Sequence, residues 1–160
     1  MIGNDVVDLA LAKKESNWQR KGFLNKIFTD KEKKWILNHS NPEVQVWVLW
    51  TRKEAVYKIY NRQSQIHSYI PLQIACLDFN SEIGTVSCYG TFYFTKTEIT
   101  DSFIHTIAVL DKNDLEKIIF LNPLDVFMKE GIPFYNQGKN SFKPASKSNH
   151  GMYERIISLL

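Results

Sequence analysis

The chain has only two cysteines, Cys76 and Cys88, in 160 residues. Both lie in apolar, strand-like stretches without metal-ligand spacing, so buried free thiols in a reducing compartment are expected. No apolar run is long enough to cross a bilayer. The opening Met-Ile-Gly-Asn-Asp lacks a basic segment followed by an apolar one, so no secretory leader is expected. The reading is a soluble cytoplasmic protein with no membrane partner. Charge of one sign is scarce as well: 20 Lys and Arg against 17 Asp and Glu give a net charge of +3. That falls short of the clustered basic surface of a nucleic-acid binder. Asp30 and Glu32 also stand among the lysines of the Lys-rich helices, so no nucleic-acid partner is expected. There is no nucleophile elbow, P-loop, dinucleotide fingerprint or Cys/His cluster, and no internal repeat or low-complexity segment.

What is present fits one domain with one core, with 44% hydrophobic, 13% aromatic and 23% charged residues. Ile2 to Leu11 contains a Val pair that favours a strand. Its acids are costly in a core unless satisfied. Residues 12–27 read as a helix. Thr29 followed by Glu32 is a capping box that starts a second helix, running to about His39. Asn41-Pro42-Glu43 starts a third and longer helix, which ends near Tyr60 or Asn61. Beyond residue 68, the stretches 69–79, 84–97 and 103–110 read as strands, with turns at Asn80-Ser81-Glu82 and Lys112-Asn113-Asp114. Ile118 to Leu121 is a further candidate strand. Asn122-Pro123 opens a short helix ending at Gly131, Gln137-Gly138-Lys139-Asn140 is a turn, and a strand closes the chain. Helices first and strands later predict an α+β fold, with helices packed on one face of an antiparallel sheet.

Three segments can carry chemistry. On a helix, Trp50, Glu54 and Lys58 form one column at i, i+4 spacing, which is either a surface ion pair or part of a site. Asp5 and Asp8 either form a hard-cation site, which Mg²⁺ would complete with substrate phosphates and water, or cap a turn or the next helix. Ser146 to Gly151 either binds phosphate or is a plain turn before a strand. His105, in Phe-Ile-His-Thr-Ile, reads as a satisfied core or sheet-face histidine.

Taken together these segments resemble a known family. Ile2-Gly-Asn-Asp-Val-Val-Asp-Leu9 resembles the opening motif of the 4′-phosphopantetheinyl transferases. Phe28-Thr29 with Glu32 resembles their Phe-Thr-x-x-Glu helix start. Trp50-Thr-Arg-Lys53-Glu54-Ala55-Val-Tyr-Lys58 matches the Trp-x-x-Lys-Glu-Ala-x-x-Lys signature at each fixed position. The resemblance implies a transferase-like α+β domain over residues 1–160. It would move the 4′-phosphopantetheine group of coenzyme A to a serine of an acyl or peptidyl carrier protein, of the kind used in fatty-acid, polyketide or peptide synthesis. It implies Mg²⁺ held by Asp5 and Glu54, Glu54 and Lys58 as the catalytic pair, and coenzyme A contacts from Lys53, Ser148 and His150. Asp8 matches an acidic position of the opening motif. The family's Ser-x-Ser-His stretch departs here, because Ser146-Lys147-Ser148 is followed by Asn149, with His150 one place later. That departure leaves a second expectation, a member that binds coenzyme A or a carrier protein without turnover. Short members of the family assemble as trimers and double-length ones act as monomers, so a homo-oligomer and a monomer are both open. Residues 69–110 are a candidate insertion.

Overall fold

The computed structural model describes residues 1–79, 82–138 and 141–160. The expected turns at 80–82 and 137–140 fall partly outside these.

Strand β1 (Ile2–Asp8) runs into helix α1 (Leu9–Glu15), whose N-cap is Asp8: its carboxylate accepts the Leu11 N–H at 3.1 Å. The single helix expected over 12–27 is corrected here. Ser16 takes extended backbone and Gly22 enters the left-handed region at φ 85°, so the helical chain restarts as α2 (Phe23–Ile27). A helix interior cannot hold either conformation. Helix α3 (Asp30–Leu37) opens on the expected capping box: Glu32 N–H donates to Thr29 Oγ1 at 3.3 Å, and Thr29 N–H to Glu32 Oε2 at 2.8 Å. Helix α4 (Pro42–Ser64) starts where Asn41 accepts the Val44 N–H at 3.2 Å.

Strands β2 (Ile74–Cys76), β3 (Ile83–Cys88), β4 (Thr91–Ile99) and β5 (Phe103–Val109) join β1 in an antiparallel sheet of order β1-β5-β4-β3-β2. Asp5 stands opposite Thr106, and Val6 opposite His105. Residues 69–110 therefore complete the sheet that β1 begins and are not an insertion. The strand expected over 69–79 shrinks to β2 because Pro71 opens a 3₁₀ turn, Pro71–Gln73, within it.

A second antiparallel sheet holds β6 (Ile118–Phe120), β7 (Val126–Lys129), β8 (Ile132–Asn136), β9 (Phe142–His150) and β10 (Tyr153–Leu159), in the order β6-β10-β9-β8-β7. The helix expected from Asn122 to Gly131 is corrected: one 3₁₀ turn, Pro123–Asp125, gives way to β7. Val126 and Phe127 suit a strand. Glu130 and Gly131, with φ of 52° and 78°, form the two-residue turn that leads into β8.

The fold is α+β, and α4 lies across one face of the first sheet. Val46, Leu49, Val56 and Ile59 of α4 share a core with Val7, Val86, Ile104 and Ala108. Leu49 is fully buried, and truncating such a residue to Ala costs about 2–5 kcal/mol. A smaller cluster of Ile2, Ile107, Val109, Leu115 and Ile157 joins the two sheets. Cys76 and Cys88 are buried free thiols, as expected. Among the described residues no helix is long and apolar enough to cross a membrane.

One close approach fixes β1 on α4. A methyl group on Gly3 would sit 2.1 Å from the Ala55 carbonyl oxygen, well inside van der Waals contact. Only glycine lets the strand that carries Asp5 lie this near the helix turn that carries Glu54.

Candidate active site between β1, α4 and β9

Among the described residues the edge of β1 away from β5 pairs with no other strand. Side chains of β9 satisfy it instead, at every second residue. Asn4 N–H donates to Ser146 Oγ at 2.9 Å, Val6 N–H to Ser148 Oγ at 3.1 Å and Asp8 N–H to His150 Nδ1 at 2.9 Å. Because Nδ1 accepts, the proton of neutral His150 sits on Nε2. The Ser-Lys-Ser-Asn-His stretch is therefore part of a strand, with Ser146, Ser148 and His150 on one face and Asn149 on the other.

Ser148 Oγ also donates to Asp5 Oδ1 at 2.9 Å. Lys58, from α4, points its ammonium at β1: Nζ donates to Asn4 O at 2.6 Å and to Lys147 O at 3.4 Å, and lies 3.4 Å from Asp5 Oδ1. Burial pushes the Asp5 carboxyl above the usual carboxylate range, against the pull of Lys58 and Ser148. Glu54 is pushed up to about 7, first by burial and then by the Asp5 charge, with Tyr69 and Lys58 acting the other way. The Tyr69 hydroxyl is close enough to Glu54 to act on it electrostatically, but is buried without a well-formed hydrogen bond. The Trp50 ring stands edge-on to Trp47 and to Tyr69, at 6.4 and 6.3 Å. A cleft of about 320 Å³ opens here, lined among others by Asp5, Glu54, Trp47, Trp50, Asn149 and His150.

The structure thus brings together Asp5, Glu54, Lys58, His150 and Asn149. No ion pair joins Glu54 to Lys58 among the described residues; the ammonium turns to β1. Asp8 caps α1 and accepts the Met152 N–H at 3.2 Å, and these backbone donors, Leu11 foremost, hold its carboxyl below the usual range.

Lys53 is a correction. Its ammonium is sealed from solvent, 2.7 Å from Glu32 Oε2, and donates to Ile27 O at 2.8 Å and Pro71 O at 3.0 Å. With every N–H engaged inside the helical layer, it has none to offer a phosphate. Ser148 is only 5% exposed, and its hydroxyl is used by Asp5 and Val6, so it too faces inward and away from a ligand. His105 is a buried sheet residue, with Nε2 3.1 Å from Asn4 Nδ2; burial depresses its pKa to about 4. Sequence reasoning missed Tyr69, for which there was no local signal. It also missed the linkage of β9 to β1, which the period-two pattern of 146, 148 and 150 could have revealed.

The Asp5 charge raises the cost of ionising Glu54, and two such carboxylates are a donor set suited to a hard cation, which would relieve the repulsion. Among the described residues no third His, Cys, Asp or Glu joins them. Mg²⁺ takes one or two protein carboxylates and completes its shell with substrate phosphate and water.

The family model of the 4′-phosphopantetheinyl transferase superfamily matches residues 1–108, and the chain belongs to that superfamily. Its fold is similar to that of holo-[acyl-carrier-protein] synthase (AcpS) from Thermotoga maritima, with a TM-score of 0.54 over 98% of this chain and 81% of that one, at 14% identity. No match was found among curated proteins. Strand β9 lies beyond the residues that match the family model.

Proposed function

We propose that this protein transfers the 4′-phosphopantetheine group of coenzyme A to a serine of an acyl or peptidyl carrier protein, with Mg²⁺ as the required cation. The observation that carries the reading is the convergence of Asp5, Glu54 and Lys58 where β1 meets α4. Asp5 and Glu54 are the residues that would hold the cation. Bound there, Mg²⁺ would neutralise the pyrophosphate of coenzyme A and orient it.

The remaining chemistry falls to the chain's own groups. Phosphoryl transfer depends on positioning and charge more than on covalent help from the protein. The carrier serine oxygen bonds to the phosphorus next to the pantetheine arm, and the bond from that phosphorus to the bridging oxygen breaks, releasing the 3′,5′-bisphosphate. The serine proton passes to the Glu54 carboxylate, which lines the cleft. The partly exposed Lys58 ammonium offers positive charge to the leaving phosphates. His150 Nε2–H is a further donor at the mouth of the cleft.

The test is to incubate the protein with coenzyme A, Mg²⁺ and a panel of apo carrier proteins and to read intact masses, with one arm in EDTA. A phosphopantetheine mass gain on a carrier, lost in EDTA, is expected. Coenzyme A binding by calorimetry with no gain on any carrier would favour the non-catalytic reading, which Asn149 in the cleft would then support.

A further inference from the structure

Ser148 occupies the place where the resemblance puts a coenzyme A contact, but its surroundings give it different work. Its hydroxyl has one hydrogen to donate, and Asp5 Oδ1 receives it at 2.9 Å. It accepts the Val6 N–H at 3.1 Å. It therefore grips β1 twice, at a carboxylate and at the next residue's backbone. The flanking contacts from Ser146 to Asn4 N–H and from His150 to Asp8 N–H hold the same register. A slip of one residue would turn all three β9 side chains away from β1. The Lys147 carbonyl, between the two serines, accepts from the Lys58 ammonium.

We infer that Ser148 is a positioning residue, which fixes the orientation of the Asp5 carboxylate toward the cation, and that the second sheet is part of the active site through β9. This rests on the transferase reading above. Ser148 and Lys58 both meet Asp5 at Oδ1, Ser148 at 2.9 Å and Lys58 at 3.4 Å. Without the shorter Ser148 hydrogen bond the carboxylate keeps only the longer Lys58 contact and is freer to rotate about its side-chain torsions. Hydrogen bonds that orient a metal-ligating group change metal affinity by about 10–100-fold when removed.

The experiment compares the wild type with Ser148→Ala, Ser148→Thr and Ser146→Ala, each checked for folding by circular dichroism and thermal melting. Two affinities are measured: Mn²⁺ binding by its EPR signal with coenzyme A present, and coenzyme A binding by calorimetry in EDTA. Ser148→Ala should weaken Mn²⁺ binding about tenfold or more and leave coenzyme A binding in EDTA unchanged. Ser148→Thr, which keeps the hydroxyl, should restore Mn²⁺ binding. Ser146→Ala, which removes the hydroxyl that accepts the Asn4 N–H and makes no contact with Asp5 among the described residues, should bind Mn²⁺ as the wild type does. Wild-type Mn²⁺ affinity in Ser148→Ala would overturn the positioning role, as would loss of coenzyme A in EDTA, which would mark a direct ligand contact. If Ser148→Ala does not fold, failure of Ser148→Thr to hold Mn²⁺ better than Ser148→Cys would overturn it. A wild-type protein that binds neither coenzyme A nor Mn²⁺ would instead bring down the transferase reading itself.

Discussion

Lys53 and Glu32 are joined by an ion pair of 2.7 Å in which neither side chain reaches solvent. The Glu32 carboxylate also accepts the N–H groups of Thr29 and Cys76, both at 2.8 Å, and so ties α3, α4 and β2 together. Two residues of the family-like motifs thus serve the fold. Lys53→Met leaves a buried carboxylate without its cation. It should lower stability by about 3–5 kcal/mol, read as a fall in Tm of about 6–20 °C for a chain of this size. Coenzyme A affinity of the folded fraction should stay near wild type. A large loss of coenzyme A affinity with an unchanged melt would show that Lys53 reaches the ligand after all.

Glu54→Gln removes a proposed cation ligand and base while changing almost no volume. Transfer should fall by at least 10³-fold while the circular dichroism spectrum is unchanged. Wild-type turnover in this variant would end the assignment.

The same substitution has a stability signature with a definite sign. Glu54 has a folded pKa raised from 4.5 to about 7. Between those values the folded state binds more protons than the unfolded one, so stability contributed at this site falls as pH rises through the window. Above pH 7 the penalty is complete, and a neutral Gln escapes it. In EDTA, Glu54→Gln should therefore match the wild type near pH 4.5 and exceed it by roughly 2 kcal/mol at pH 8. His105, with its pKa lowered from 6.5 to about 4, acts with the opposite sign over nearly the same range. For that reason the difference between variant and wild type, and not the wild-type curve alone, reads Glu54. A constant difference across pH would refute the raised pKa.

Lys58→Met should reduce transfer by about 10²–10³-fold, the range for loss of one donor to developing charge. Its hydrogen bonds to Asn4 O and Lys147 O also bridge β1 and β9, so a modest drop in Tm should accompany the kinetic loss. Full activity at a lowered Tm would reduce Lys58 to a structural bridge.

Asn149 lines the cleft where the family motif carries His. Asn149→His should tighten coenzyme A binding about two- to tenfold, the size of one added hydrogen bond, and more at pH 6 than at pH 8 as the imidazole gains charge. No change at either pH would separate this position from the ligand.

Local signals were legible in the sequence where the physics is local. The Thr29–Glu32 box and the Asn41-Pro42 start both form as read, because the capping partners lie within one turn. The α+β class followed from the order of the elements. The broken helix over 12–27 was hidden because its break depends on the left-handed backbone at Gly22. The β7–β8 hairpin was hidden because Asn-Pro starts helices and 3₁₀ turns alike. The division into two sheets rests on β1 pairing with β5, some hundred residues away, for which a single sequence holds no local trace. At the site, the family resemblance singled out Asp5, Glu54 and Lys58, which the structure brings together where β1 meets α4. The burial of Lys53 could not be read, because the groups that engage its ammonium come from Ile27, Glu32 and Pro71, outside its own helix.

The contact of Gly3 with Ala55 gives the site a ruler made of main chain. Side chains relax by changing rotamer, but a backbone carbonyl packed against an α-carbon has nowhere to go. The gap between the strand bearing Asp5 and the helix bearing Glu54 is therefore set at a point neither residue occupies. A single methyl at position 3 would act as a wedge under β1, forcing apart the strand and helix that must share one ion, with every chemical group of the cleft still in place.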